Sequence, residues 1–251
     1  MVAILAGGAL LTWQAYRYFK DARQKTTFVS NVSHELKTPL TSIRMYAELL
    51  SEGRVPSEDK QNRYLGVIVA ESQRLARLVD NVLDFSRLEQ GRKSYRSENL
   101  DLSDFLSEAI ASQQPRINAA GIKVHYHVPE SALFVRADRD ALRQVLLNLI
   151  DNALKYAADG KELVFEFRKH RSAVEMTVGD RGSGIPAEHR EKIIDKFHRI
   201  DDSLTAQQPG SGLGLSIARR LLRDMGGNLY WRPRKGGGSC FIVELPLATD
   251  D

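Results

Sequence analysis

The sequence predicts an α+β chain in two parts: a helical hairpin that pairs with a second copy as a dimeric four-helix bundle, followed by an α/β sandwich. Three observations predict it. Residues 20–90 carry two apolar stripes, each at three- and four-residue spacing, on either side of one turn signal. From about residue 100 the texture changes to helices mixed with short strands of period two. Finally, two amphipathic helices cannot enclose a core alone, whereas two paired hairpins can. The 251 residues, 42% of them hydrophobic, suffice for one large domain or two small ones.

The first element is an apolar run, Val2 to Leu11, too short for a spanning helix of roughly 20 apolar residues. It lacks the charged start of a signal peptide. Trp13, Tyr16, Tyr18 and Phe19 follow it, then Arg17, Lys20, Arg23 and Lys25. Aromatics at the interface with positive charge beyond are the pattern of the cytoplasmic end of a membrane helix. Residues 1–19 therefore read as the inner end of a transmembrane or signalling helix; the alternative is a soluble helix that extends the bundle.

In the first long helix the stripe is Phe28, Val32, Leu36, Leu40, Ile43, Ala47 and Leu50. The turn lies at Glu52 to Ser57. Ser57 is placed to cap the second helix, with Lys60 standing where a full capping box has Glu or Gln. The second stripe is Tyr64, Leu65, Ile68, Leu75, Leu78, Val79, Val82, Leu83 and Phe85. Gly91 to Asn99 is polar and aperiodic and reads as a linker, so the hairpin is assigned residues 20–92 and the sandwich 93–248.

Within the second part, Leu102 to Ala119 reads as a helix, Ile122 to Val128 and Leu133 to Arg136 as short strands, and Asp138 to Ala157 as a strong helix. Glu162 to Arg168 and Ala173 to Val178 alternate and should pair. Glu188 to Pro209 is polar and weakly periodic, long enough to suggest a functional lid. A helix from Leu213 to about Met225 and strands at Asn228 to Trp231 and Ser239 to Leu245 close the chain.

Composition excludes some functions. Charged residues make up 27% and the net charge is +4. These charges are dispersed, with no basic block interleaved with aromatics, which argues against nucleic-acid binding. The single cysteine, Cys240, cannot form an internal disulfide; it lies in an apolar run and is expected in the core.

Four clusters carry chemistry. In Ser33-His34-Glu35-Leu36-Lys37-Thr38-Pro39-Leu40, the stripe uses Val32, Leu36 and Leu40, so His34 points to solvent. A lone exposed histidine is usually inert. Here Glu35 stands beside it and Thr38 one turn on. A neutral imidazole nitrogen is a good nucleophile for phosphorus, and a neighbouring carboxylate can take its other proton. Pro39 should kink the helix or free a backbone carbonyl.

In the second cluster, Asn148, Asn152 and Lys155 share one helix face within Asn148 to Tyr156. Two amides and an ammonium offer oxygen to a hard cation and positive charge to phosphate; the competing reading is a solvated helix face. The third, Asp180-Arg181-Gly182-Ser183-Gly184-Ile185-Pro186, ends an alternating strand, where a carboxylate can accept from an adenine amino group and glycines let backbone approach the base. The fourth, Gly210-Ser211-Gly212-Leu213-Gly214-Leu215, leads into a helix and can cradle phosphate with backbone N–H groups. No Gly-Lys-Ser/Thr follows, so it is not a P-loop.

Together these clusters resemble the two-component sensor histidine kinases over about residues 20–246. Ser33 to Leu40 is similar to their phosphoacceptor motif, Asn148 to Tyr156 to the asparagine motif, Asp180 to Pro186 to the first glycine motif, Lys196 to Arg199 to the phenylalanine motif and Gly210 to Leu215 to the second glycine motif. The resemblance implies a dimeric phosphoacceptor hairpin followed by a GHKL (Bergerat) ATP-binding sandwich. It implies ATP and Mg2+ as cofactors, autophosphorylation of His34, and phosphotransfer to the receiver domain of a response regulator, with phosphatase activity toward it. By position, His34 is the phosphoacceptor, Glu35 its acid/base partner and Thr38 a residue for the phosphatase step. Asn152 is the Mg2+ ligand. Asn148, Lys155, Tyr156, Asp180, Gly182, Gly184, Ile185, Arg199, Gly210, Gly212, Leu213 and Gly214 fall on nucleotide-binding positions. Ile194 stands where an aromatic is frequent, so the lid is expected to pack less tightly, and Asp151 occupies a variable position.

The resemblance also implies a homodimer through residues 20–90 and a cytoplasmic catalytic core attached to a bacterial inner membrane by its N-terminal helix. Two rivals share parts of the pattern. An ATP-hydrolysing clamp or chaperone would carry a glutamate as base where this chain has Asn148, and an amide cannot take a proton from water. A non-catalytic dimeric scaffold would not need intact motifs.

Overall fold

The computed structural model describes residues 2–91, 94–127, 132–156, 160–196, 198, 200 and 212–248. They fall into two compact units, one ending at Leu83 and one beginning at Asp84.

The first unit is the hairpin. Helix α1 (Val2–Ser51) runs unbroken through Pro39. Proline lacks an N–H, so the helix loses there the bond that residue 39 would donate to the Glu35 carbonyl. Helix α2 spans Glu58–Glu89. Between them Gly53 takes the left-handed φ of 66°, Arg54 N–H bonds the Leu49 carbonyl, and buried Val55 plugs the turn. The Ser57 hydroxyl accepts from Lys60 N–H at 3.4 Å, the cap that the sequence predicts. Tyr46 and Tyr64 pack across the hairpin with ring centroids 4.8 Å apart.

The stripe on α1 is less buried than its periodicity predicts. Leu40 is 59% exposed, and on α2 Leu65, Val69 and Leu83 are at least half exposed. A single hairpin has one inner seam, and these stripes are wider than one seam covers. The N-terminal run is continuous helix with the hairpin from Val2, and no helix among the described residues is long and apolar enough to cross a membrane.

The second unit contains helices α3 (Leu102–Ala119), α4 (Arg139–Tyr156) and α5 (Gly214–Asp224). Its strands are β1 (Ser97–Asp101), β2 (Lys123–Tyr126), β3 (Phe134–Asp138), β4 (Glu162–Lys169), β5 (Ala173–Asp180), β6 (Asn228–Pro233) and β7 (Ser239–Pro246). Five strands form one sheet in the order β2-β4-β5-β7-β6, and β1 pairs with β3 in a two-stranded ribbon. The β4–β5, β5–β7 and β6–β7 ladders are antiparallel, and β2 joins β4 in parallel.

Pairing register explains the core. Phe165 pairs with Val178 and Val178 with Phe241, while Met176 pairs with Val243 and Val243 with Leu229. These side chains share one face of the sheet and are buried. Against them lie the apolar positions of α3, α4 and α5, among them Leu106, Leu142, Leu146, Ile150, Ile217 and Leu221, all essentially inaccessible. Each such side chain contributes about 1.5–3 kcal/mol by leaving water.

The linker expected at Gly91 to Asn99 is corrected. Its last three residues, Ser97 to Asn99, begin strand β1, paired with β3 from Ser97↔Asp138 to Asp101↔Phe134. The strand is polar because it buries only Leu100, so it carries no visible alternation. Asp138 anchors it: one carboxylate oxygen accepts from Arg96 N–H at 2.7 Å, the other from Ala141 N–H at 2.8 Å in the first turn of α4. Cys240 is intermediate in exposure, not core; it pairs across from Gly179 on the other face of the sheet. Burial raises its thiol above the ordinary range.

Candidate functional site

On α1, His34 and Thr38 are exposed on one face, while Glu35, one residue round the helix, is buried at 9%. The Thr38 hydroxyl donates to the His34 backbone carbonyl at 3.2 Å. That bond uses the hydroxyl hydrogen and leaves the oxygen lone pairs outward. His34 is thus an exposed imidazole on a continuous helix, next to a buried glutamate.

On α4, the stripe Ala141, Leu142, Val145, Leu146, Leu149, Ile150 and Ala153 is buried, and Asn148, Asn152 and Lys155 border it, half-buried. Asn148 is no solvated amide: its Nδ2 is buried without a hydrogen-bond partner. A Cβ placed on Gly214, the first residue of α5, would lie 3.4 Å from its Oδ1. The N-terminus of α5 therefore sits against this amide face. A helix N-terminus attracts anions, and an orphaned buried amide donor lacks an acceptor. Oxygen donors beside that positive pole fit a magnesium nucleotide. Asp151 points elsewhere, into an ion pair with Arg116 at 2.7 Å, which explains an acidic residue inside the motif. Tyr156 is exposed.

Asp180 ends β5 on the helix-facing side, in step with Val178 and Met176. One carboxylate oxygen, Oδ1, takes both backbone bonds, from Gly182 N–H at 2.8 Å and Ser239 N–H at 3.2 Å. The other, Oδ2, makes neither. Burial raises its pKa above the ordinary carboxylate value; the two N–H groups and the Arg234 charge pull it back. Arg181 turns away to pair with Glu162 at 3.0 Å. Beyond it, Gly184 takes φ 75° against Gly238, and Ile185 is buried.

Gly236 to Ser239 is the part of this pocket that the motifs miss. A Cβ at Gly238 would lie 2.1 Å from the Asp180 carbonyl oxygen, at φ 96°. Only glycine permits that approach. The signal was present as three consecutive glycines before a strand, but nothing in a hairpin turn distinguishes one that braces an aspartate.

Of the expected lid, Ala187–His189 is a 3-10 turn. Ile194, where an aromatic is frequent, is buried at 7%. Lys196 pairs with Glu89 at 2.6 Å. Phe197, Arg199, Gly210 and Ser211 lie outside the described residues. Gly212 has φ 67° and Leu213 is fully buried ahead of α5.

Residues 24–91 match the His Kinase A (phospho-acceptor) domain. Residues 137–249 match the histidine kinase-, DNA gyrase B-, and HSP90-like ATPase family. Sensor histidine kinase WalK of Bacillus subtilis is 34% identical over 233 residues, covering 92% of this chain and 38% of the relative. The chain therefore spans less than half of that relative's length. Among solved structures, full-length ShkA in complex with AMPPNP is 27% identical, with a TM-score of 0.63 over 88% of this chain and 45% of that one. Histidine kinase ThkA in complex with response regulator protein TrrA is 23% identical, with a TM-score of 0.67 over 94% of this chain and 67% of that one; it attests the fold.

Proposed function

The chain belongs to the two-component sensor histidine kinases, and from that premise we propose that it transfers the γ-phosphoryl group of ATP to His34 and then to an aspartate of a response regulator. The observation that carries the proposal is His34 itself: an exposed imidazole on a continuous helix, one residue from a buried glutamate.

ATP with Mg2+ supplies the phosphoryl group and screens its charge. An imidazole nitrogen of His34 forms the bond to phosphorus as the bond to ADP breaks. Glu35 accepts the proton from the other ring nitrogen, which holds the attacking lone pair available. In the second unit, Oδ2 of Asp180 accepts from the adenine amino group, and Gly182, Gly184 and Ile185 give the base its close backbone and apolar contact. Asn152 offers its carbonyl oxygen to Mg2+. Asn148, Lys155, Tyr156 and the α5 N-terminus at Gly212, Leu213 and Gly214 face the phosphates, with Arg199 and Gly210 assigned from the motif alone. AMPPNP bound to ShkA supports a nucleotide at this site.

Thr38 serves the reverse reaction. Its hydroxyl hydrogen is committed to the His34 carbonyl, so its oxygen is left to accept from a water and orient it toward phosphoaspartate. Exposed Trp13, Tyr16 and Tyr18, with Arg17 stacked 4.9 Å over Trp13, support attachment of a cytoplasmic core to an inner membrane through the N-terminal helix.

The test is incubation with γ-labelled ATP, followed by receiver domains. Acid-labile, base-stable label on the chain that moves to a receiver is expected. Release of free phosphate without labelled chain would overturn the proposal in favour of an ATP-hydrolysing clamp.

A further inference from the structure

The nucleotide reading leaves unused a pair of histidines that meet in space, His189 and His198. His189 closes the 3-10 turn after the first glycine motif, and His198 lies in the segment beyond it. Their ring nitrogens, Nδ1 of His189 and Nε2 of His198, are 3.0 Å apart. The rings are tilted by 47° with centroids 5.1 Å apart, and both residues are half-buried. A succession of tight backbone bonds holds them there: His189 N–H to Pro186, Lys192 to His189, Asp195 to Lys192 and His198 to Asp195. Such turns in a straight line would carry the rings apart; here the chain curls so that they meet.

We propose that His189 and His198 form a binding site for a divalent transition metal of the zinc, copper and nickel class. Imidazole is the preferred ligand of these ions. Two imidazoles bound at about 2.0–2.1 Å, at tetrahedral to square angles, place their nitrogens roughly 2.9–3.4 Å apart, and the observed separation lies inside that window. Without metal, one ring donates an N–H to the other's lone pair. On binding, that proton moves to the far nitrogen of its own ring and both lone pairs turn to the ion. No proton is lost overall. Among the described residues no cluster of three or more His, Cys, Asp or Glu exists, and the proposal takes the two imidazoles alone as its protein ligands. Mg2+ prefers oxygen and would not compete. The bound ion would tie His189 to His198 and close a short loop between them.

The chain contains a built-in reporter. Arg190, next to His189, lies 5.5 Å over the ring of Trp231 on β6. A second pair of histidines, the exposed His125 and His127, lies at β2, the opposite edge of the five-stranded sheet. The full chain carrying Trp13→Phe has Trp231 as its only tryptophan. Titration with Cu2+ should quench its fluorescence saturably near one equivalent. Either His189→Gln or His198→Gln should weaken that quenching at least about tenfold, and His125→Ala/His127→Ala should leave it unchanged. Both single variants lie on a half-buried turn, and an unshifted emission maximum before copper is added establishes their folding. Quenching undiminished in either one, or lost with the His125/His127 pair instead, would overturn the site.

Discussion

Asp180 is costly where it stands. Burial raises its folded pKa above the unfolded value, so between the two the folded chain holds a proton that the unfolded chain has released. Stability then falls as pH rises through that window, and above it the ionised carboxylate is a standing cost. Asp180→Asn removes the charge and keeps one oxygen for Gly182 and Ser239. We expect the variant to be at least as stable as the parent at neutral pH in urea melts, with the difference shrinking as pH is lowered. It should lose ATP binding, because an amide NH2 meets the adenine amino group donor to donor. A variant less stable than the parent at neutral pH would contradict this account. Thr38→Ala offers a second test at this scale. Loss of most dephosphorylation of the partner with autophosphorylation retained is expected, and decay of phosphorylated partner at the parent rate would contradict the role of Thr38. Asp180 could be read from sequence because a carboxylate at the end of an apolar alternation has no core function. The orphaned Asn148 amide could not, because its burial comes from α5, a distant segment.

Among the elements, Asp138 does the work of two. It caps α4, which presents the asparagine face, and it fastens β1 through Arg96. A cap is worth about 1 kcal/mol, and a second charge-assisted bond about as much again or more. Asp138→Ala should therefore cost about 2–3 kcal/mol in denaturant unfolding of the second unit; a loss under about 0.5 kcal/mol would show that water replaces both bonds. Long elements with strong periods (α2, α3, α4 and the β4–β5 pair) were legible to within a residue or two. Strand β1 was not, because an edge ribbon that buries one side chain in five positions leaves no alternation to read.

At the scale of the whole molecule, the hairpin shows what it lacks. Leu40, Leu65, Val69 and Leu83 are exposed on a chain whose second unit buries most of its described aliphatic residues. A homodimer would cover them, the arrangement that the paired stripes predict. Leu65→Asp combined with Val69→Asp should shift the chain from dimer to monomer in sedimentation at micromolar concentration; a dimer that survives both charges would place the interface elsewhere. On the proposed function, the nucleotide is held by the second unit and its phosphoryl group is received by His34 on the first. The most direct measurement is phosphate labelling from ATP beside nucleotide affinity, in the parent and in His34→Ala. Complete loss of label with unchanged affinity is the predicted result. Label retained on the His34→Ala chain would contradict the account.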